Sequence, residues 1–276
     1  MNLPPALIAP LNHLGLIQVT GTDAETFLQG QLSNDVRVLS ANRAQLSSYN
    51  SPKGRMLAVL HLFRNADSIF LEMHRSVLEA TLKRLRMFVL RSKVQLQDVS
   101  VEHPALGLSG NNAAALLQEI GLPGPADSLD AAWENNVCVI RRLGEIPRFT
   151  IHAPRLQSGE IQKTLQAKTQ AADTNHWKLL DILAGVPTVY PETSDHFVPQ
   201  MCNLDTLGGI SFNKGCYTGQ EIVARVHYRG AIKRTMSRIH LPQSPPAPGT
   251  KLEQGEVVDA VSQPEGGSSV LVVGSG

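Results

Sequence analysis

Cysteine is scarce in this chain: of 276 residues only Cys138, Cys202 and Cys216 carry thiols. The count is odd and no Cys-x-x-Cys pair occurs, so neither a disulfide framework nor a metal site is expected. With no basic, apolar-cored leader at the proline-containing start, the expected setting is a reducing cytoplasm. Aromatic residues make up only 5% of the chain, so broad stacking on nucleic-acid bases is not the default expectation. No apolar run reaches the roughly 18 to 20 residues that cross a bilayer, which argues against a membrane-spanning role. Net charge is nearly absent too, at +1. A net charge this small says little about partners until it is split by region; direct nucleic-acid binding is not expected, although basic residues cluster locally.

Apolar residues at 42% and charged residues at 18% describe an ordinary globular chain able to bury a sizeable core. The length suggests two or three domains. Charge is uneven along it. Lys214 to His240 holds six Lys or Arg against one acid, whereas Leu241 to Gly276 holds one base and four acids. A second basic run, Lys83, Arg84, Arg86, Arg91 and Lys93, has no acid within it. Each run reads either as a solvated face or as a surface for a polyanion.

Periodicity and turn residues place strands at 14–19, 44–49, 56–63, 68–73 and 94–101, then at 106–109, 137–142 and 148–152. The intervening helices are expected after Thr22, near Ser76, over 111–120 and from Pro154 to about Lys168. Another is capped by Asp173 or Thr174 and runs to Gly185. Cys138 lies in the apolar run Val137-Cys138-Val139-Ile140 and reads as core. Short strands after Gly230, separated by PAPG and PEGG turns, read as a small all-β appendage. The mixture suggests α+β packing.

The stretch with the most chemistry is Ser211-Phe212-Asn213-Lys214-Gly215-Cys216-Tyr217-Thr218-Gly219-Gln220-Glu221, running on to Arg225. Thr218 and Glu221 have capping-box spacing before an apolar run, so a helix is expected to begin at Thr218. That would set Cys216 beside a positive helix end, with Lys214 adding charge, an environment that lowers a thiol pKa. The plain alternative is a free cysteine at a strand-to-helix turn, with Glu221 acting only as a cap.

KGCYTGQE followed by Arg225 resembles the signature of the YgfZ family of folate-binding proteins, relatives of the glycine-cleavage aminomethyltransferase, or T-protein. The segments QGQLSNDV (29–36), NHWKLLDILAGVP (175–187) and Phe197-Val198-Pro199-Gln200 resemble the same family. The resemblance implies two ferredoxin-like α+β subdomains around a central cavity, with a small C-terminal β-barrel that is possibly incomplete here. The expected division is 1–230, with an internal boundary near 103, and 231–276. It also implies a tetrahydrofolate ligand contacted by Trp177, Tyr217, Gln220, Glu221 and Arg225, with Cys216 and Lys214 as the reactive pair. The implied role is accessory: assistance to iron–sulfur enzymes or their assembly proteins, which in turn supports tRNA modification.

Two departures from the pattern bear on activity. Where aminomethyltransferases carry an Asn-Ala pair and then a catalytic Asp, this chain reads Glu72-Met73-His74-Arg75. A second cavity tryptophan expected near the N-terminus falls on Leu14. A folate-dependent one-carbon transferase and a tRNA-binding module remain the competing readings.

Overall fold

The computed structural model describes residues 6–230 and 232–275. In chain order the first elements are β1 (Leu7–Pro10), β2 (Leu14–Thr20), α1 (Ala24–Gln29), β3 (Gln45–Asn50), β4 (Met56–Arg64), β5 (Ile69–His74), α2 (Arg75–Met87) and β6 (Gln95–Asp98). β7 (Ala105–Ser109), α3 (Ala113–Glu119), β8 (Ala131–Glu134), β9 (Val137–Arg141), β10 (Arg148–His152), α4 (Arg155–Gln166), β11 (Gln170–Ala171) and α5 (Thr174–Leu183) follow. After a long irregular stretch come α6 (Gln220–Arg229), β12 (Arg234–Leu241), β13 (Lys251–Leu252), β14 (Gly255–Ser262) and β15 (Ser268–Ser275).

These strands form three sheets, ordered β3-β4-β5-β2-β6, β11-β1-β7-β10-β9-β8 and β12-β15-β14-β13. The third is an open antiparallel sheet, half a barrel rather than a closed one. β1 pairs with β7 and β11, so the first strand of the chain belongs to the second sheet. A cut near 103 would therefore strand β1 from its partners.

Strand β5 shows why the first two sheets stack. Its sequence, Ile-Phe-Leu-Glu-Met-His, is buried along almost its whole length because both faces are covered. Side chains alternate across a strand. Ile69, Leu71 and Met73 enter the core under α1 and α2, while Phe70 packs with Phe63, Cys138 and Ile140 between the sheets. Glu72 is in phase with Phe70 and enters the same interface, 1% exposed.

An isolated carboxylate there would be very costly, so it must be fully partnered. Arg142 Nη1 donates to Glu72 Oε1 at 2.7 Å, and the His152 imidazole meets Oε2 at 2.8 Å. The second amino group of Arg142 lies 2.8 Å from the ring nitrogens of His61, which stands opposite Glu72 on β4. Burial alone would raise the Glu72 pKa. The charge of Arg142 and the hydrogen bond from His152 outweigh it and hold the carboxyl well below its usual range.

Trp177 is the largest fully buried side chain, 1% exposed. It packs with Ala9, Leu11 and Leu180, and Arg148 lies over its ring at 5.2 Å. The opposing strand carries Gly107, where a Cβ would come within 2.5 and 2.7 Å of the indole.

Two stability outcomes follow from these contacts. Gly107→Ala is expected to lose about 1–3 kcal/mol through overpacking, read as a lower urea midpoint at unchanged slope. Glu72→Ala leaves Arg142 buried without its anion and is expected to cost roughly 3–5 kcal/mol. Replacing both residues, Glu72→Leu with Arg142→Met, should recover most of that loss. Because the Glu72 pKa is depressed on folding, its contribution is fully present above the ordinary value of 4.5 and fades as pH falls below it. Glu72→Gln should remove that part of the acid-unfolding slope.

Candidate functional site

A cavity of about 220 Å³ lies where the first sheet, α5, the loop following α5 and the third sheet meet. Drug-sized ligands usually occupy roughly 300–1,000 Å³, so this space suits a single ring system with the remainder of a ligand outside. Its apolar lining includes Leu14, Val59, Met73, Val186 and Val189. The polar lining is unusually rich in charge and contains three carboxylates, each with a cation. Glu72 is held by Arg142 as described. Asp181 Oδ1 is 2.8 Å from Arg148 Nη1, and Asp259 Oδ1 is 2.7 Å from Lys178 Nζ.

Local structure explains how these groups converge. Asp173 caps α5 by accepting from the His176 N–H, which fixes the helix start. Trp177 and Leu180 then face the core, and Lys178 and Asp181, three residues apart, share the adjacent face that looks into the cavity. Asp259 comes from a register shift in β14 between Val257 and Asp259. Such an irregularity re-aims a side chain; here it brings a carboxylate, 1% exposed, against Lys178 and Tyr190.

Tyr190 donates its hydroxyl to Asp259 Oδ1 at 3.0 Å, while Oδ2 of the same carboxylate has no hydrogen-bond partner among the described residues. Burial raises the Asp259 pKa against the opposing pull of Lys178 and Tyr190. The His74 ring lies 4.6 Å from the Tyr190 ring, tilted 58° to it, and 6.0 Å from the His13 ring. Burial, with the neighbouring His13, lowers His74 to about 4, and burial lowers His13 as well. Both imidazoles are therefore neutral at pH 7.

None of the seven site residues expected from the sequence lines this cavity. Trp177 is core, and Leu14, where a second tryptophan was expected, does line the cavity. The expected capping box at Thr218 does not form. α6 begins at Gln220 behind Gly219, whose φ of 82° is left-handed, and no side chain caps it. Close packing sets that start: a Cβ on Gly219 would collide with the Ser51 carbonyl and with Gly54.

Lys214 is buried rather than poised to charge the thiol. Its ammonium donates to the carbonyls of Leu32 at 2.6 Å and Asn34 at 2.8 Å and lies 5.0 Å above the Tyr217 ring. Burial lowers it to about 8 against the pull of Asp35. Tyr217 is buried beneath it. Glu221 and Arg225 form an exposed pair at 2.9 Å, one helical turn apart. Gln220 is half-buried, and its side chain makes no hydrogen bond among the described residues.

Cys216 is exposed. Burial pushes the thiols of Cys138 and Cys202 well up, which leaves Cys216 as the accessible one. The QGQLSNDV segment and the chain leading into the signature meet in space. Ser33 Oγ donates to Gly209 O at 2.7 Å, Asn34 Nδ2 to Gly208 O at 2.8 Å, and Ser211 N–H to Ser33 O at 3.0 Å.

The sequence reading missed Lys178, Tyr190, Asp259, His13 and His74. Two signals pointed there: Glu72, a lone acid inside an apolar strand, and the polar pair Lys178 and Asp181 on an otherwise apolar helix.

The family model described as the GCVT N-terminal domain matches residues 6–130. The crystal structure of glycine cleavage system aminomethyltransferase T from Bartonella henselae superposes with a TM-score of 0.79 at 18% identity, covering 99% of this chain and 79% of that one. That establishes a T-protein-like fold. A tRNA-modifying protein YgfZ from Hamiltonella defensa is 35% identical over 234 residues, covering 84% of this chain and 69% of that protein. One from Shigella sonnei is 34% identical over 232 residues, covering 84% and 71%. Identity at this level, extending over most of each chain, places this protein in the YgfZ family.

Proposed function

We propose that this chain binds a folate-type ligand, tetrahydrofolate in the specific reading, in the cavity between its sheets. In that reading it is an accessory protein of iron–sulfur cluster assembly or repair that supports tRNA modification. The observation that carries the ligand assignment is the cavity's polar pattern. A reduced pterin presents a flat ring with several N–H donors and few acceptors. Asp259 lines the cavity and keeps one buried, unpartnered acceptor, Oδ2, of the kind such donors require, and the rings of His74 and Tyr190, inclined at 58° to each other, form an aromatic corner against which a ring can pack. Apolar Leu14 and Val189 complete the lining. The names of the curated relatives support the tRNA-modification context.

The competing reading, a folate-dependent one-carbon transferase, needs a general acid or base free to exchange a proton. Each carboxylate lining the cavity is paired with a cation. That favours binding over turnover. Cys216 supports the accessory role differently: it is exposed and sits on a loop clamped to the first subdomain by Lys214, Ser33 and Asn34. A thiol so placed is accessible to iron–sulfur proteins. Its three unpaired cysteines support a cytoplasmic setting.

Calorimetric titration with tetrahydrofolate tests the ligand assignment. Saturable binding is expected for the wild type, and Asp259→Asn should weaken it by about tenfold or more, as loss of a charge-assisted hydrogen bond of roughly 1.5–3 kcal/mol requires. Absence of any binding heat or competition, with the fold intact by thermal denaturation, would refute the reading. Cys216→Ser is expected to leave tetrahydrofolate affinity within about twofold and to abolish complementation of an iron–sulfur-dependent tRNA modification in cells lacking the protein. Full complementation by that variant would remove the thiol from the mechanism.

A further inference from the structure

The inner face of α2, Val77, Leu78, Thr81, Leu82 and Leu85, is buried against the first sheet. A second stripe of the same helix, Ser76, Ala80, Lys83 and Met87, is spaced by four, three and four residues and so runs along one side. With Leu57 and Pro191 it walls a groove of about 470 Å³ whose lining is mostly apolar. At the end of the helix three bulky apolar side chains stand in solvent: Met87 at 59%, Phe88 at 39% and Leu90 at 87% exposure. Leu90 has a φ of 47°, the left-handed region that glycine or asparagine usually fills after a helix. A leucine held there, 87% exposed, has no packing among the described residues that would account for it.

Lys83 and Arg84 line this apolar groove, and the helix and the segment after it are basic, while the facing Pro191–Ser194 wall carries one exposed acid, Glu192. From Arg75 to Lys93 the chain carries six Lys or Arg and one acid, Glu79. Among the described residues none of the six cations forms an ion pair. The groove also lies apart from the folate-type cavity and shares no lining residue with it.

We propose that this groove docks an acidic amphipathic helix of a partner protein. Bulky apolar side chains at helical spacing enter between α2 and the Pro191–Ser194 segment, and flanking carboxylates face Lys83, Arg84, Arg91 and Lys93. Charge complementarity selects the sign of the partner, and the concave apolar floor selects its form. A nucleic-acid backbone answers the cations but leaves Met87, Phe88, Leu90 and the groove floor without partners. A bilayer accepts the protruding side chains but does not fill a concave groove. The assignment is independent of what occupies the central cavity.

The test uses the full chain and a labelled designed helix of about four turns, with Leu and Phe anchors on one face and Glu on its flanks, read by fluorescence anisotropy. Binding is expected, and a version of the peptide with Lys in place of Glu should bind at least about tenfold more weakly. Lys83→Glu combined with Arg91→Glu should weaken the acidic peptide by a similar factor. Ala80→Tyr, which fills the groove without changing charge, should do the same, with thermal midpoints confirming that both variants fold. No binding of the acidic peptide at concentrations up to about 1 mM, the weak end of measurable affinity, would overturn the proposal, as would equal binding of the two peptides. It would also fall if the charge variants reduced binding to tRNA or to phosphatidylserine vesicles while leaving the peptide unaffected.

Discussion

The carboxylate of Glu72 constrains how the two larger sheets can meet. Moving such an ion out of water costs several kcal/mol even after relaxation, and only a complete set of partners makes the position tolerable. Those partners come from both sheets: His61 from β4, His152 from β10 and Arg142 just beyond β9. A slip of one residue in β5 would turn Glu72 into the helix-side core and Phe70 out of the interface with Phe63. The ion cluster therefore fixes the register of the first sheet and its placement on the second. An apolar quartet could match its stability but would accept several alignments.

The same cluster forms one wall of the cavity, and the remaining walls repeat its logic. Arg148 and Asp181 meet beside Trp177, and Lys178 meets Asp259 across the boundary with the third sheet. Each carboxylate lining the cavity is answered by a cation from a different element. A space built this way is lined by paired charges and neutral imidazoles, with one oxygen of Asp259 buried beside it without a hydrogen-bond partner among the described residues.

Much of the architecture was legible from period and punctuation. Strands β3, β4, β5 and β10 and helices α2 and α5 fall within a residue or two of their expected spans, because alternation and apolar stripes are local signals of burial. The short strands β1, β8, β11 and β13 were not read, three of them at sheet edges. Two to four residues carry too little pattern, and their pairing is set by distant chain. The helix start near Ser76 and the capping box at Thr218 were placed by local signals that the neighbouring structure alters. At α2 the strand runs on to His74, whose ring accepts from the Ser76 N–H in place of a Ser76 cap. At α6 the packing of Gly219 against Ser51 overrides the local preference. Trp177 was the most conspicuous residue of its helix, and large aromatics are usually core. The cavity-lining residues Lys178 and Asp181 lay beside it, on the less conspicuous face.

A long motif invites the conclusion that its residues share one chemical task, and packing resolves most of this one differently. Gly219 is required by the close approach of the β3–β4 turn. Lys214 ties the segment to the carbonyls of Leu32 and Asn34, and Tyr217 is buried under that ammonium. Glu221 and Arg225 satisfy one another on the surface. Gly215 has open space around it, so neither crowding nor a left-handed backbone demands glycine there. Cys216 beside it is exposed and unpaired. Once the residues with a structural task are removed, the thiol and its uncrowded neighbour are what packing leaves unexplained. The motif acts structurally as a mount that holds one sulfur at the surface, outside the lining of the cavity.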